Sequence, residues 1–106
     1  MSKTIIFFGT EDFSATSLLA LLDAGFEIHA VVTKPDSAKG RSKELTSSPV
    51  KILAQKHNIP VWQPENVADI SKDTQKLGDV AGVLVSYGKL VPDEVLGLFT
   101  PGIINL

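Results

Sequence analysis

The sequence predicts an α/β fold, a mostly parallel sheet with helices on both faces. Five short apolar runs at residues 4–8, 26–33, 59–62, 80–86 and 102–106 read as strands. Helix-like segments or polar connections separate them, which is the pattern of right-handed βαβ crossovers. The 106 residues, 43% of them apolar, suffice for one compact core, and no repeat or low-complexity tract competes with that organisation.

The first run is rich in β-formers and ends at Gly9. In the helix expected over residues 12–24, Ala15, Leu18, Leu19 and Leu22 fall at i, i+3, i+4 and i+7. Glu11 or Asp12 suits its N-terminus, and Gly25 its C′ position. In the second strand, Ile28, Ala30 and Val32 are expected on one face, with Phe26 and Val31 on the other. Residues 34–47 lack an apolar period and hold Pro35, Asp36, Gly40 and several serines, so they read as a long polar loop. Ser48 and Pro49 supply an N-cap and N1 proline for a helix keeping Val50, Leu53, Ala54 and His57 in phase, with Asn58 ending it. A short strand at 59–62 follows, then a polar connection with some helix over 64–78. Residues 80–86 form a nearly continuous apolar strand, expected to be buried on both faces. Pro92, Asp93 and Glu94 open a last helix through Leu98, and Thr100-Pro101-Gly102 turn into the fifth strand. That strand reads as cut in or just after Asn105, an amide where parallel sheets place reacting groups.

Composition narrows the function classes. With no cysteine, neither a disulfide framework nor a thiolate zinc site is available, and no metal is expected. The N-terminal apolar run is too short for a signal core or a membrane span, so a cytoplasmic protein without a membrane partner is expected. The net charge of −2 conceals an asymmetry: Lys34, Lys39, Arg41, Lys43, Lys51 and Lys56 face only Asp36 and Glu44 between residues 34 and 56. This local excess of positive charge suits an anionic partner, although a solvated loop and helix face would carry it equally well. The first strand-to-helix turn, Gly9-Thr10-Glu11-Asp12, has one glycine of a dinucleotide fingerprint, and its two carboxylates would repel phosphate. NAD and FAD binding are therefore disfavoured.

Several segments in order carry a family resemblance. Phe7-Phe8-Gly9-Thr10 with Phe13, Thr33-Lys34-Pro35-Asp36, the Gly40-Arg41 pair and Leu45-Thr46-Ser47-Ser48-Pro49-Val50-Lys51 form the first half. His57-Asn58-Ile59-Pro60-Val61 followed by Gln63-Pro64, Ser86-Tyr87-Gly88-Lys89-Leu90-Val91-Pro92 and Pro101-Gly102-Ile103-Ile104-Asn105-Leu106 continue it. Together they resemble the methionyl-tRNA formyltransferases, over the opening part of that family's catalytic domain. The resemblance implies a Rossmann-like sheet and formyl transfer from 10-formyltetrahydrofolate to the amino group of methionyl-initiator-tRNA, in translation initiation. It implies tRNA contact by Arg41, with Lys39 and Lys43 adding charge. It also implies that Ser86, Tyr87, Gly88, Lys89, Leu90 and Val91 line the folate pocket, and that Asn105 is the catalytic amide. The tRNA is the expected nucleic-acid partner, DNA is not, and the full-length protein is expected to be monomeric.

The family also uses a histidine two residues after this asparagine and a distant aspartate, neither of which lies within residues 1–106. His29 and His57 do not match that histidine and read as core or surface residues. Residues 1–106 are thus expected to be the N-terminal portion of a formyltransferase catalytic domain, lacking its remainder and any C-terminal domain, and inactive alone. Two alternatives remain: a sugar-nucleotide formyltransferase, which shares the chemistry, and a non-catalytic folate- or nucleotide-binding module.

Overall fold

A computed structural model describes residues 4–38, 45–99 and 102–106. Five strands form one all-parallel sheet: β1 (Thr4–Gly9), β2 (Ile28–Val32), β5 (Val61–Trp62), β6 (Val80–Val85) and β7 (Ile103–Asn105). Their spatial order is β5-β2-β1-β6-β7. The chain therefore builds outward from β1 in one direction through β2 and β5, then returns to place β6 and β7 on the other side. The reversal lies between β1 and β6, which pair in register from Thr4↔Val80 to Gly9↔Val85.

The two faces of the sheet carry separate cores. Ile5, Phe7, Val83 and Val85 point to one side, against Leu18 of α1 (Asp12–Asp23) and Val50 and Ala54 of α2 (Pro49–Lys56). Ile6, Phe8, Val80 and Leu84 point to the other, against Val67 and Ile70 of a 3₁₀ turn (Val67–Ile70), Val95 of α4 (Asp93–Leu96), and Phe99. A short α3 (Ser71–Gln75) continues the 3₁₀ turn. Each Val or Leu so buried is worth roughly 1.5–3 kcal/mol, so the central β1–β6 pair dominates the hydrophobic stabilisation.

The helix ends follow their sequence signals. At the C-terminus of α1, Gly25 adopts φ +88°; its N–H donates to the Leu22 carbonyl and that of Phe26 to the Leu21 carbonyl, both at 3.1 Å. This is a Schellman closure. Ser48 caps α2, its hydroxyl accepting from the Lys51 N–H at 3.1 Å, with Pro49 at the first helical position. Asn58 leaves the helix at φ +57°.

Six expectations need correction. Ile28 packs with Val31 on the α1/α2 side, not with Ala30 and Val32, because the register slips from Ile5↔Ile28 to Ile6↔Ala30. The extra residue, His29, makes a bulge that reverses the alternation. Leu19 is 40% exposed: α1 buries the stripe of Ala15, Leu18, Leu21 and Leu22 instead. His57 is an exposed C-cap rather than a member of the buried stripe. The 34–47 segment is not wholly irregular, since β3 (Ser37–Ala38) and β4 (Leu45–Thr46) pair antiparallel. Strand two also begins at Ile28, leaving Phe26 46% exposed, and only Val61 and Trp62 of the 59–62 run join the sheet.

Candidate active site

All five strands being parallel, their C-terminal ends share one edge, and the crevice where strand order reverses opens between β1 and β6. Gly9-Thr10, Thr33-Lys34, Gln63, Ser86–Val91 and Asn105 gather there, each directly following or ending a strand. Asn105 stands opposite Leu84 and is exposed at the end of β7, where the Leu106 N–H donates to the Leu84 carbonyl at 2.9 Å. It lines a groove of about 300 Å³ together with Leu84, Lys89, Leu90, Val91, Leu96 and Ile103. The sheet thus brings the expected catalytic amide beside three of the six residues expected to hold folate.

The β6 exit has an unusual backbone. Ser86 lies at φ +48° and Gly88 at φ +89°, the left-handed region that glycine tolerates and other residues rarely adopt. Tyr87 between them turns its ring inward: it is 1% exposed and packs edge-to-face on Phe8, with centroids 5.7 Å apart. Burial pushes its hydroxyl up to about 12, and among the described residues that hydroxyl has no hydrogen-bond partner. A phenol so raised stays neutral in the fold. Its burial therefore contributes stability that is complete below the unfolded value of 10.0 and is lost as pH rises towards 12. Tyr87 offers the site its backbone, not a proton. Among the described residues, the main chain of 88–91 makes no hydrogen bond to other main-chain groups, leaving its N–H and C=O free for a flat heterocycle edge.

Two lysines are committed to structural tasks. The Lys89 ammonium donates to the carbonyls of Glu65 at 2.8 Å and Pro64 at 3.4 Å, so it ties the β5 exit to the β6 exit while its stem lines the groove. Lys89 also borders a second, more open hollow of about 620 Å³ with Glu65, Asn66, Val67 and Leu90 to Asp93. Lys51 pairs with Asp36 at 2.8 Å, and Gln63 donates to the other Asp36 oxygen at 2.8 Å and to the Lys34 carbonyl at 3.2 Å. Those hydrogen bonds, that from Lys51 foremost, hold the Asp36 carboxyl below the usual carboxylate range. The contribution of this pair is present at neutral pH and lost as pH falls through the lowered value. Leu90 is almost fully exposed at 93%. Arg41, Lys39 and Lys43 lie outside the described residues, as do Thr100 and Pro101.

No site role was assigned from sequence to Thr10, Ser14, Thr33, Asp36 or Gln63, although Thr10, Thr33, Asp36 and Gln63 stand in the segments that carry the resemblance. Ser14, fully buried on α1, donates its hydroxyl to the Val85 carbonyl, and Thr10 donates to the Tyr87 carbonyl at 2.8 Å. The available signal was position, since Thr10 and Thr33 each stand one residue beyond a strand that faces the crevice. His29 stacks edge-to-face on Trp62 at 6.2 Å, and His57 caps α2; neither is one of the groove-lining residues. Among the described residues there is no group of three or more His, Asp or Glu side chains placed to hold a metal ion. None of their helices is long and apolar enough to cross a membrane.

An all-parallel sheet with a groove joining an amide-bearing strand end to a left-handed turn matches the edge at which open α/β sheets commonly bind ligands, and sequence comparison supplies the family. The chain belongs to the formyl transferase family, whose profile matches residues 2–106. It is 45% identical over 104 residues to a methionyl-tRNA formyltransferase of Desulforamulus reducens, and 42% identical to one of Buchnera aphidicola. Each alignment covers 96% of this chain, which spans about a third, 33%, of either relative. Two solved structures share the fold across 99% of the chain: glycinamide ribonucleotide transformylase 1 from Symbiobacterium toebii (TM-score 0.68, 16% identity) and from Geobacillus kaustophilus (0.67, 15%). The chain covers 50% and 57% of those structures, and at such identity they speak to fold alone.

Proposed function

We propose that residues 1–106 are the N-terminal portion of a formyltransferase catalytic domain that transfers the formyl group of 10-formyltetrahydrofolate to the amino group of methionyl-initiator-tRNA. The observation that carries this reading is the groove shared by Asn105 with Lys89, Leu90 and Val91, in a chain 45% identical to a methionyl-tRNA formyltransferase. The donor fits the residues present: free main-chain groups after Gly88 suit a pterin edge, and apolar Leu84, Leu90, Val91 and Ile103 suit its flat faces.

In the transfer, the acceptor amine attacks the formyl carbon and gives up a proton, the carbonyl oxygen gains negative charge, and as the carbonyl re-forms the bond to the folate nitrogen breaks and that nitrogen takes up one proton, so that none is gained or lost overall. The Asn105 amide N–H donates to the developing oxyanion. Ser86 to Val91 hold the donor. Arg41, with Lys39 and Lys43, contacts the acceptor end of the tRNA; each single-strand phosphate neutralised adds about 0.7 to the salt slope. The working protein is a cytoplasmic monomer in this reading, serving translation initiation.

The test is an initial-rate formylation assay of the full-length protein with methionyl-tRNA, an amino-sugar nucleotide and glycinamide ribonucleotide as competing acceptors. Methionyl-tRNA is expected to be the preferred acceptor. Residues 1–106 alone are expected to give no product above background, because an oxyanion donor supplies about 2.7–4 kcal/mol of the roughly 8–23 kcal/mol that enzymes remove from a barrier. Preference for either other acceptor, or a near full-length rate from the 106-residue polypeptide, would overturn the corresponding part of the proposal.

A further inference from the structure

Three hydroxyls join the entry and exit of the 34–47 segment to the β6 exit. Each carries one proton and can accept as well. Thr10 spends its proton on the Tyr87 carbonyl at 2.8 Å, and therefore accepts from the Thr33 hydroxyl and the Lys34 N–H, each at 3.4 Å. Thr33, fully buried, shares a hydrogen bond with the Ser48 hydroxyl at 2.7 Å, in which either oxygen can donate. Ser48 in turn accepts from the Lys51 N–H at 3.1 Å. The contacts run without a break from the N-terminus of α2 through Ser48, Thr33 and Thr10 to the Tyr87 carbonyl.

Thr33 immediately precedes the 34–47 segment and Ser48 immediately follows it, so their hydrogen bond fastens both ends of that segment at one point. Thr10 then ties the point to the carbonyl preceding Gly88. A second contact runs parallel to it. The Lys34 side chain lies across Gly88, with its Cδ 3.0 Å from where a Cβ at residue 88 would stand. Gly88 is thus approached closely by a lysine stem, and that space belongs to the same junction.

We propose that Thr33 is a positioning residue that couples the segment carrying Lys39, Arg41 and Lys43 to the turn at Ser86–Val91. The proposal rests on the functional reading above, in which the first holds the tRNA acceptor and the second the folate donor. Thr33 touches neither substrate. Its hydroxyl holds the two ends of that segment beside the carbonyl preceding Gly88, so its loss loosens both together.

The experiment compares Thr33→Val, which keeps the shape and removes the hydroxyl, with Thr33→Ser, which keeps the hydroxyl. KM for each substrate, kcat, melting temperature and affinity for 5-formyltetrahydrofolate are measured on the full-length protein. In Thr33→Val both KM values and the analogue's Kd are expected to rise about tenfold, the size of one net buried hydrogen bond, with kcat moving less. Thr33→Ser is expected to restore all three, and Ser48→Ala, farther from the donor, to reproduce the donor-side weakening in smaller measure. A Thr33→Val protein that melts lower but keeps both KM values, or shifts one alone, would overturn the coupling while leaving formyl transfer intact. Failure of the wild-type protein both to bind the folate analogue and to formylate methionyl-tRNA would overturn the functional reading, and the coupling with it.

Discussion

Asn105→Ala in the full-length protein is expected to lower kcat for formyl transfer by about 10²–10³ with little change in melting temperature. Removing one oxyanion donor of this kind typically costs about 2.7–4 kcal/mol in the transition state. The fold has little to lose: Asn105 is exposed, and its backbone sits in the β6–β7 ladder whichever side chain it carries. Surface changes of that sort usually stay within about 0.5 kcal/mol. Asn105→Asp should be at least as slow, since a carboxylate brings negative charge to the place where negative charge must develop. Steady-state kinetics beside a thermal melt check both; an unchanged kcat in Asn105→Ala would remove the residue from catalysis.

Gly9→Ala is expected to be the most damaging single methyl at the site. A Cβ there would lie 2.7 Å from the Ser14 Cβ, 2.9 Å from the Val85 carbonyl oxygen and 2.9 Å from Phe7 Cε1. The first two cannot swing aside, because Ser14 is on the first turn of α1 and Val85 is backbone of the central strand. Overpacking of this kind costs typically about 1–3 kcal/mol, and relief requires moving α1 off the sheet. That movement breaks the Ser14 hydrogen bond to Val85 and disturbs Thr10. Gly78→Ala provides the contrast: φ is +71° but nothing lies within 4 Å, so only the left-handed backbone penalty of about 1–2 kcal/mol applies. Denaturant titration of the two variants should rank Gly9→Ala as the less stable; the reverse order would mean that α1 is not seated as described.

The single glycine of the first turn illustrates how much was legible. Gly9 was readable as the tight turn that ends the first strand, but not its closeness to α1, which comes from Ser14 Cβ and the Val85 carbonyl standing within 3 Å of where a Cβ would lie. Long elements were readable because continuous apolar runs and the Gly25 and Ser48 end signals act locally. The His29 bulge was not, since it exists only in the pairing of β2 with β1. Nor were β3 and β4, whose two-residue lengths carry no period. At the site, Asn105 was legible from its place at the end of a strand. The Ser48–Thr33–Thr10 chain was not, because it assembles from an α2 cap and two strand ends that meet only in three dimensions. Nor was the structural task of the Lys89 ammonium, whose partners, the Pro64 and Glu65 carbonyls, lie 25 and 24 residues earlier in the chain. For Arg41, Lys39 and Lys43 the assignment to tRNA remains the proposal drawn from sequence likeness and charge.

The most direct measurement is a crystal structure of the full-length protein with 5-formyltetrahydrofolate, a donor analogue that cannot complete the transfer. The pterin is expected against the main chain of Ser86–Val91, with Asn105 Nδ2 about 3 Å from the position the formyl oxygen takes as charge develops. A folate bound elsewhere on the molecule, or bound in the groove with Asn105 turned away from the transferable carbon, would contradict the account.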